Sequence, residues 1–287
     1  MSIDITHLQQ WVGKQDKTSD QIYPTPVKAL ALSLNLNAQA LLKAPLRPVW
    51  HWLYFLPMSP LAETGPDGHT RRGSFLPPTP LPRRMWAGSN ITFHAPIAIG
   101  DSLKRHSTVQ SVEHKKGRSG DLVFVTVNHQ IYRKSTLCID ELHHLVFRQI
   151  PEENKQPPTP PSAPKNSHWS YQITPDPVLL FRYSALTFNS HRIHYDYPYT
   201  TEKEGYPGLV VHGPLVATLL LDLLHRHLPN AWVKHYKFKA ISPTFCSAPI
   251  GIHGRLEEDK RTVTLWAQNE QGGLIMQGQA QVKQYTE

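Results

Sequence analysis

The hydrophobic pattern changes period twice along the chain, in the same order each time. Residues 177–185 (PVLLFRYSA) space their apolar side chains at helical intervals, a loop follows over 186–199, and residues 214–227 (PLVATLLLDLLHRH) are apolar on nearly every face until Asp222. A helix lying on a surface shows a single apolar stripe, so an all-round apolar helix predicts one enclosed by other structure. Residues 232–240, 250–256, 262–268 and 274–282 then alternate or concentrate β-branched and aromatic residues between turn-forming ones, the mark of strands. The first half reads similarly, with a helical stretch at 26–34 and strands at 89–93, 102–113, 122–132 and 145–150. Two copies of one α+β unit are predicted. Between them, PEENKQPPTPPSAPKNS at 151–167 has little to bury and predicts a proline-rich linker. It divides an N-terminal unit, 1–150, from a C-terminal unit, 168–287.

Composition supports a folded chain. Of 287 residues, 39% are hydrophobic and 18% charged, too apolar for a disordered protein. A formal charge of +8 favours anionic partners. The basic residues, however, come in scattered pairs such as Arg71-Arg72, Arg83-Arg84 and Lys115-Lys116, which suits phosphate-bearing small ligands and argues against nucleic acid. Cys138 and Cys246 lie far apart and imply neither a disulfide framework nor a zinc knuckle. Residues 1–17 show no apolar leader, and no stretch approaches the roughly 20 apolar residues of a membrane span. A cytoplasmic protein is expected.

Two stretches hold candidate chemistry. YSALTFNSHRIHYD at 183–196 puts Asn189, His191 and His194 on one loop, and GLVVHGPL at 208–215 sets a His-Gly pair directly before the buried helix. In this order they resemble the motif of MaoC-like, hot-dog-fold enoyl-thioester hydratases. GHTRRGSFLPPTPLPRRMWAG at 68–88 and FNSHRIHYD at 188–196 are similar to the double-hot-dog subgroup that includes mesaconyl-C4-CoA hydratase and type 2 3-hydroxyacyl-thioester dehydratase. The resemblance implies a double hot-dog fold, two units each with an antiparallel sheet wrapped around a central helix. It also implies a hydro-lyase acting on an acyl-CoA or acyl-carrier-protein thioester, with the C-terminal unit catalytic and the N-terminal unit shaping the acyl pocket. An acyl-thioesterase and a non-catalytic acyl-binding subunit are the alternatives, and an assembly of identical chains is compatible with any of them.

Residue by residue, the histidine of the family motif falls on His194, and imidazole chemistry suits it to take a proton from water and return one to the α-carbon. The family's aspartate position holds Asn189, whose amide cannot carry a proton but can orient water. His191 is a second proton carrier. Gly213 would offer its amide to the developing oxyanion at the start of a helix whose first position is Pro214, and His212 would orient that turn or contact substrate. Arg71, Arg72, Arg83 and Arg84 are candidates for the pantetheine phosphates, and Arg192 for a carboxylate on the acyl group. No metal is expected, because the His191-x-x-His194 spacing has no third ligand near it in sequence. No cofactor is expected beyond the pantetheine carrier of the substrate itself.

Overall fold

A computed structural model describes residues 3–117, 120–150 and 159–284. A short helix α1 (Ile5–Gln9) leads to strand β1 (Gln15–Gln21) and helices α2 (Pro24–Ser33) and α3 (Ala38–Leu42). After a 3-10 turn at Trp50–Leu53 come β2 (Arg83–Phe93), β3 (Ser102–Gly117), β4 (Gly120–Arg133) and β5 (Thr136–Arg148). The second half consists of β6 (Trp169–Ile173), α4 (Pro177–Leu186), α5 (Gly213–His227), β7 (Ala231–Ala240), β8 (Ile250–Leu256), β9 (Thr262–Gln268) and β10 (Leu274–Gln284).

The ten strands form one antiparallel sheet in the order β1-β3-β4-β5-β2-β7-β10-β9-β8-β6. Each half has the same internal order read from its outer edge, β1-β3-β4-β5-β2 and β6-β8-β9-β10-β7, and the halves meet where β2 pairs with β7 from Gly88↔Lys239 to Thr92↔His235. This is the expected double hot-dog. At the junction, a Cβ on Gly88 would stand 2.2 Å from the Phe238 carbonyl oxygen, so only glycine lets the two backbones pair there. Residues 151–158 of the predicted linker lie outside the described residues; downstream of them, Ala163 N–H donates to Gly272 O and Leu274 N–H to Pro161 O, tying this segment to the β9–β10 turn.

Every residue of α5 from Leu215 to Leu224 is buried, as its all-round apolar sequence requires. Buried Asp222 accepts from Arg226 one turn on (2.7 Å) and from Arg47 of the first half (2.8 Å), so the one acidic residue in the helix also tethers the halves. The described residues of the first half contain no helix of comparable length. Its place is filled in pieces by α2, α3 and the Trp50–Leu53 turn, whose Val27, Leu30, Leu41, Trp50 and Leu53 pack against Ile91, Phe93 and Ile139 in a core continuous with that of α5. Among the described residues, no helix is long and apolar enough to cross a membrane.

β5 begins nine residues before the predicted start at 145, and the reason is chemical. Its inward positions carry Ile139, Glu141, His143, Leu145 and Phe147, and the buried charge in this series hides the period-2 pattern. Glu141 is sustained there by three donors: His51 Nε2 (2.9 Å), Trp52 Nε1 (3.1 Å) and Ser89 Oγ (2.7 Å). Burial alone would raise its carboxyl; the hydrogen bond and charge of His51 instead hold it well below the usual carboxylate range. Beside it, burial pushes His129 down to about 4 and His143 down to about 3. Such histidines bind protons in the unfolded chain near pH 6.5 but not in the folded one, so stability is full above that pH and drains as pH falls toward 4. Glu141, depressed, adds a further loss at still lower pH. Urea unfolding at pH 7, 6 and 5 is expected to show stability dropping by about 1.4 kcal/mol per pH unit for each such histidine below pH 6.5. A flat profile would contradict the burial of uncharged imidazoles.

Candidate active site

Helix α4 is capped by Asp176, whose carboxylate accepts from Leu179 N–H (2.8 Å), and it ends at Thr187; Phe188 then turns the chain with φ +48°. Asn189 follows and uses its side-chain oxygen to accept the His191 N–H (3.0 Å), closing an Asx turn. A 3-10 turn at Arg192–His194 drives His194 inward. There, its Nδ1 lies 2.7 Å from Val210 O. A carbonyl only accepts, so Nδ1 carries the proton and Nε2 is left with a lone pair, without a hydrogen-bond partner among the described residues. Val210 N–H returns a bond to Ile193 O (2.9 Å), and the two halves of the motif are stapled together.

The His212 ring stacks on the His194 ring at 3.7 Å, and its Nε2 bonds Ser184 Oγ at 2.8 Å. It is a platform that fixes the plane of His194. Burial pushes His194 down to about 4 and holds His212 well below the usual imidazole range, so both are neutral near pH 7 and His194 presents a basic nitrogen. His212, not Gly213, is the N-cap of α5; Gly213 is its first residue, followed by Pro214. Beyond the backbone of Gly213, a Cβ would meet no heavy atom within 4 Å, so a substrate carbonyl has room to reach the amides of the first turn, at the positive end of the helix dipole.

The loop of the first half that precedes β2 closes over this motif. Ser190 Oγ donates to Gly68 O (2.6 Å), Arg192 N–H to Asp67 O (2.9 Å) and Arg192 Nη1 to Pro66 O (3.0 Å). Gly68 has φ +89°, and a Cβ on it would sit 1.9 Å from Ser190 O, so the contact demands glycine. The same loop delivers His69, whose ring centroid is 4.2 Å from that of His191; His191 in turn lies 5.5 Å from His194. His69 Nδ1 donates to Asp67 Oδ2 (3.1 Å). Sequence reasoning missed Asp67 and His69. The only available signal was a histidine inside the quoted GHTRRG string, some 120 residues from the motif it touches.

These two residues also change the basis on which a metal was set aside. The fold brings polar atoms of Asp67, His69 and His191 within 4.8 Å of one another, supplying neighbours that the sequence spacing lacked. The Asp67 oxygen nearest His69 is occupied by the imidazole proton, which makes the carboxylate a support for the ring.

Of the candidate arginines, three have committed guanidinium groups. Arg72 donates to the carbonyls of Thr79, Leu81 and Pro82, holding the turn into β2. Arg83 is buried in an ion pair with Glu204 (2.7 Å), over the Tyr206 ring. Arg192 is paired with Asp196 (2.7 Å) and stacked on Tyr199, which removes it as a receptor for an acyl carboxylate. Arg71 is exposed, its Nε directed at Thr64 O. Arg84 differs: among the described residues its side chain has no hydrogen-bond or ion-pair partner. Burial and then the like charge of Arg72 push it down to about 10, yet it remains cationic at neutral pH. Its charge reaches His69 and His191.

A polar depression of about 530 Å³, bounded by Asn90, Thr92, Asn128, Asp140 and His235, contains none of these residues. Asn90 and Thr92 alternate with buried Ile91 and Phe93, so it lies on the face of the sheet turned away from the helices.

The chain has relatives among known proteins. The family model described as hydroxyacyl-thioester dehydratase type 2 matches residues 49–246. The chain belongs to that family. The match takes in both the loop around His69 and the motif around His194, the two stretches that meet in space. Within the hydroxyacyl-thioester dehydratase type 2 family and its relatives, mesaconyl-C(4)-CoA hydratase of Chloroflexus aurantiacus is 43% identical over 268 residues, covering 93% of this chain and 94% of that protein. The mitochondrial hydroxyacyl-thioester dehydratase type 2 of Schizosaccharomyces pombe is 32% identical over 232 residues, 72% of this chain and 77% of its own. The solved MaoC-like dehydratase of Phytophthora capsici superposes with a TM-score of 0.67 at 13% identity, covering 99% of this chain and 100% of that one, and shows the common fold. With membership of the hydroxyacyl-thioester dehydratase type 2 family comes the reaction class: this is a hydro-lyase of acyl thioesters.

Proposed function

We propose that the chain hydrates a 2-enoyl thioester whose acyl group bears a second, free carboxylate, the class to which mesaconyl-C4-CoA belongs. The observation that carries this reading is Arg84, a half-buried cation beside the histidines that makes no ion pair among the described residues, the Asp67 carboxylate acting on it only from beyond ion-pair distance. A cation so placed, without a close counter-ion, is available to an anionic group of the ligand. His194 Nε2 takes a proton from the attacking water, the oxygen bonds to C3, and the π electrons move through C2 onto the thioester oxygen, which the amides at Gly213 receive. Asn189, whose oxygen already accepts from His191, positions the loop and retains a second lone pair for water. The first unit shapes the acyl pocket, and a cytoplasmic setting fits the composition. A thioesterase would need a free carboxylate in the motif loop, and Asp196 is engaged by Arg192 and by Tyr199 N–H.

Purified protein given mesaconyl-C4-CoA is expected to bleach the enoyl absorbance without releasing thiol; thiol release would mean hydrolysis and overturn the reading. Arg84→Gln should raise KM for mesaconyl-C4-CoA by about 10- to 100-fold, the worth of a charged hydrogen bond, while moving KM for crotonyl-CoA by no more than about threefold. Equal effects on the two substrates would place the arginine on the carrier, not on the acyl group.

A further inference from the structure

Adding water across a double bond moves two protons, one off the water and one onto C2, and the family's carboxylate is replaced here by an amide. Asn189 can neither take nor give a proton, and its oxygen is engaged by the His191 N–H. Another group that exchanges protons must therefore be sought within reach of His194, or His194 must do both tasks.

Four imidazoles stand in a row, His69, His191, His194 and His212, with successive ring centroids 4.2, 5.5 and 3.7 Å apart. Of these four, only His69 has a carboxylate against its ring. Both oxygens of Asp67 hold it, Oδ1 accepting its backbone N–H (3.0 Å) and Oδ2 its Nδ1–H (3.1 Å). That pairing fixes the tautomer and ring plane and leaves Nε2 for exchange, the supporting role a carboxylate plays toward a working imidazole. His191 has no such partner. Burial, then the charges of His69 and His194, hold it far below the ordinary histidine range, so it stands neutral between them. His212 is bonded to Ser184 and sealed beneath His194.

We propose that His69, supported by Asp67, is the second acid–base residue of the reaction, doing from the first unit what a carboxylate at position 189 would do from the second. The proposal rests on the hydratase reading above. As the oxygen–C3 bond forms and one water O–H bond breaks, the proton goes to His194 Nε2. As the enolate collapses, the Nε2–H bond of the His69 imidazolium breaks and that proton forms the C2–H bond. The proton on His194 then returns to His69 across His191, which accepts on one nitrogen as it releases from the other, and the site is reset with no net change in charge. Burial, followed by the charge of Arg84, holds free His69 below its ordinary value. A substrate carboxylate neutralising Arg84 lifts the second of these, so the acid is armed by the substrate it serves.

The test uses the full-length protein and mesaconyl-C4-CoA. His69→Ala and His69→Gln are each expected to lower kcat by about 10²-fold or more, the usual contribution of one acid–base group, with KM little changed. Asp67→Asn should shift the alkaline limb of the kcat/KM profile to lower pH, because the imidazolium loses its counter-charge. The decisive step is Asn189→Asp placed in the His69→Ala background: restoring the family's carboxylate should recover at least about tenfold of the lost rate. Three results would overturn the proposal. Full activity of the His69 variants while His194→Ala is dead would leave His194 performing both tasks. Loss without recovery by Asn189→Asp would make His69 structural. Stoichiometric metal in the purified protein, with activity removed by chelator and restored by that metal, would assign Asp67 and His69 to a different chemistry. Failure of the wild type to hydrate any enoyl thioester would instead defeat the broader reading.

Discussion

His194→Ala should lower hydration by at least about 10²–10⁴-fold, the span general acid–base groups contribute, while the protein stays folded. The expectation follows from how the imidazole is held. Nδ1 is consumed by the Val210 carbonyl and the ring lies flat on His212, so Nε2 points where a partner is lacking and nothing in the motif can replace it. The substitution also strands the Val210 oxygen, at a cost of about 1–3 kcal/mol for a buried unpaired acceptor, small enough for circular dichroism to show native structure. Loss of enoyl absorbance on mesaconyl-C4-CoA measures the effect. Retention of more than about a tenth of the wild-type rate would remove His194 from the chemistry.

Gly68→Ala should be nearly as damaging to rate, though Gly68 touches no substrate. Its Cβ would fall 1.9 Å from Ser190 O, a distance no packing adjustment short of backbone movement relieves. The positive φ adds about 1–2 kcal/mol of strain for alanine. The loop must withdraw, breaking the Ser190 Oγ–Gly68 O and Arg192 N–Asp67 O bonds and taking His69 with it. A displacement of about 1 Å at a working group costs on the order of 10²-fold in rate. Because the loop is largely at the surface, the loss of global stability should stay within about 1–3 kcal/mol. Kinetics and urea unfolding on the same preparation separate the two effects, and activity within about threefold of wild type would show that the two loops need not touch.

What could be read from the residues divides along physical lines. The strands predicted at 250–256 and 262–268 match β8 and β9 to the residue, because Ile250 and Ile252 alternate along β8 and β9 concentrates Val263, Leu265, Trp266 and Ala267 in the core. β1, QDKTSDQ, gave no sign of itself: it is an edge strand whose side chains are mostly exposed, and the pairing that defines it is with the backbone of β3. β5 was hidden for the opposite reason, its inward face carrying Glu141 and His143 where an apolar pattern was sought. The start of α5 fell one residue away from its expected cap, since proline after glycine marks the turn without saying which residue lies outside it.

The site divides similarly. His191, His194, His212 and Gly213 lie on neighbouring stretches of chain, and their spacing suggested that they meet. The partnership of His69 with His191 is made only when loops of the two halves meet, and no local period records it. The arginines show the limit of reading charge by type. Four in the 68–88 loop look alike in sequence, and it is the carbonyls around Arg72 and the carboxylate beside Arg83 that leave Arg84 alone in the site.

The pairing of β2 with β7 has a consequence for how such a protein can change over generations. In an assembly of two identical chains every substitution appears on both sides of the join. Here each side is encoded separately, so one could surrender its long helix and acquire Glu141 and its retinue of histidines while the other kept the motif loop and its proton chemistry. Inheritance, not only geometry, made the two halves free to become unlike.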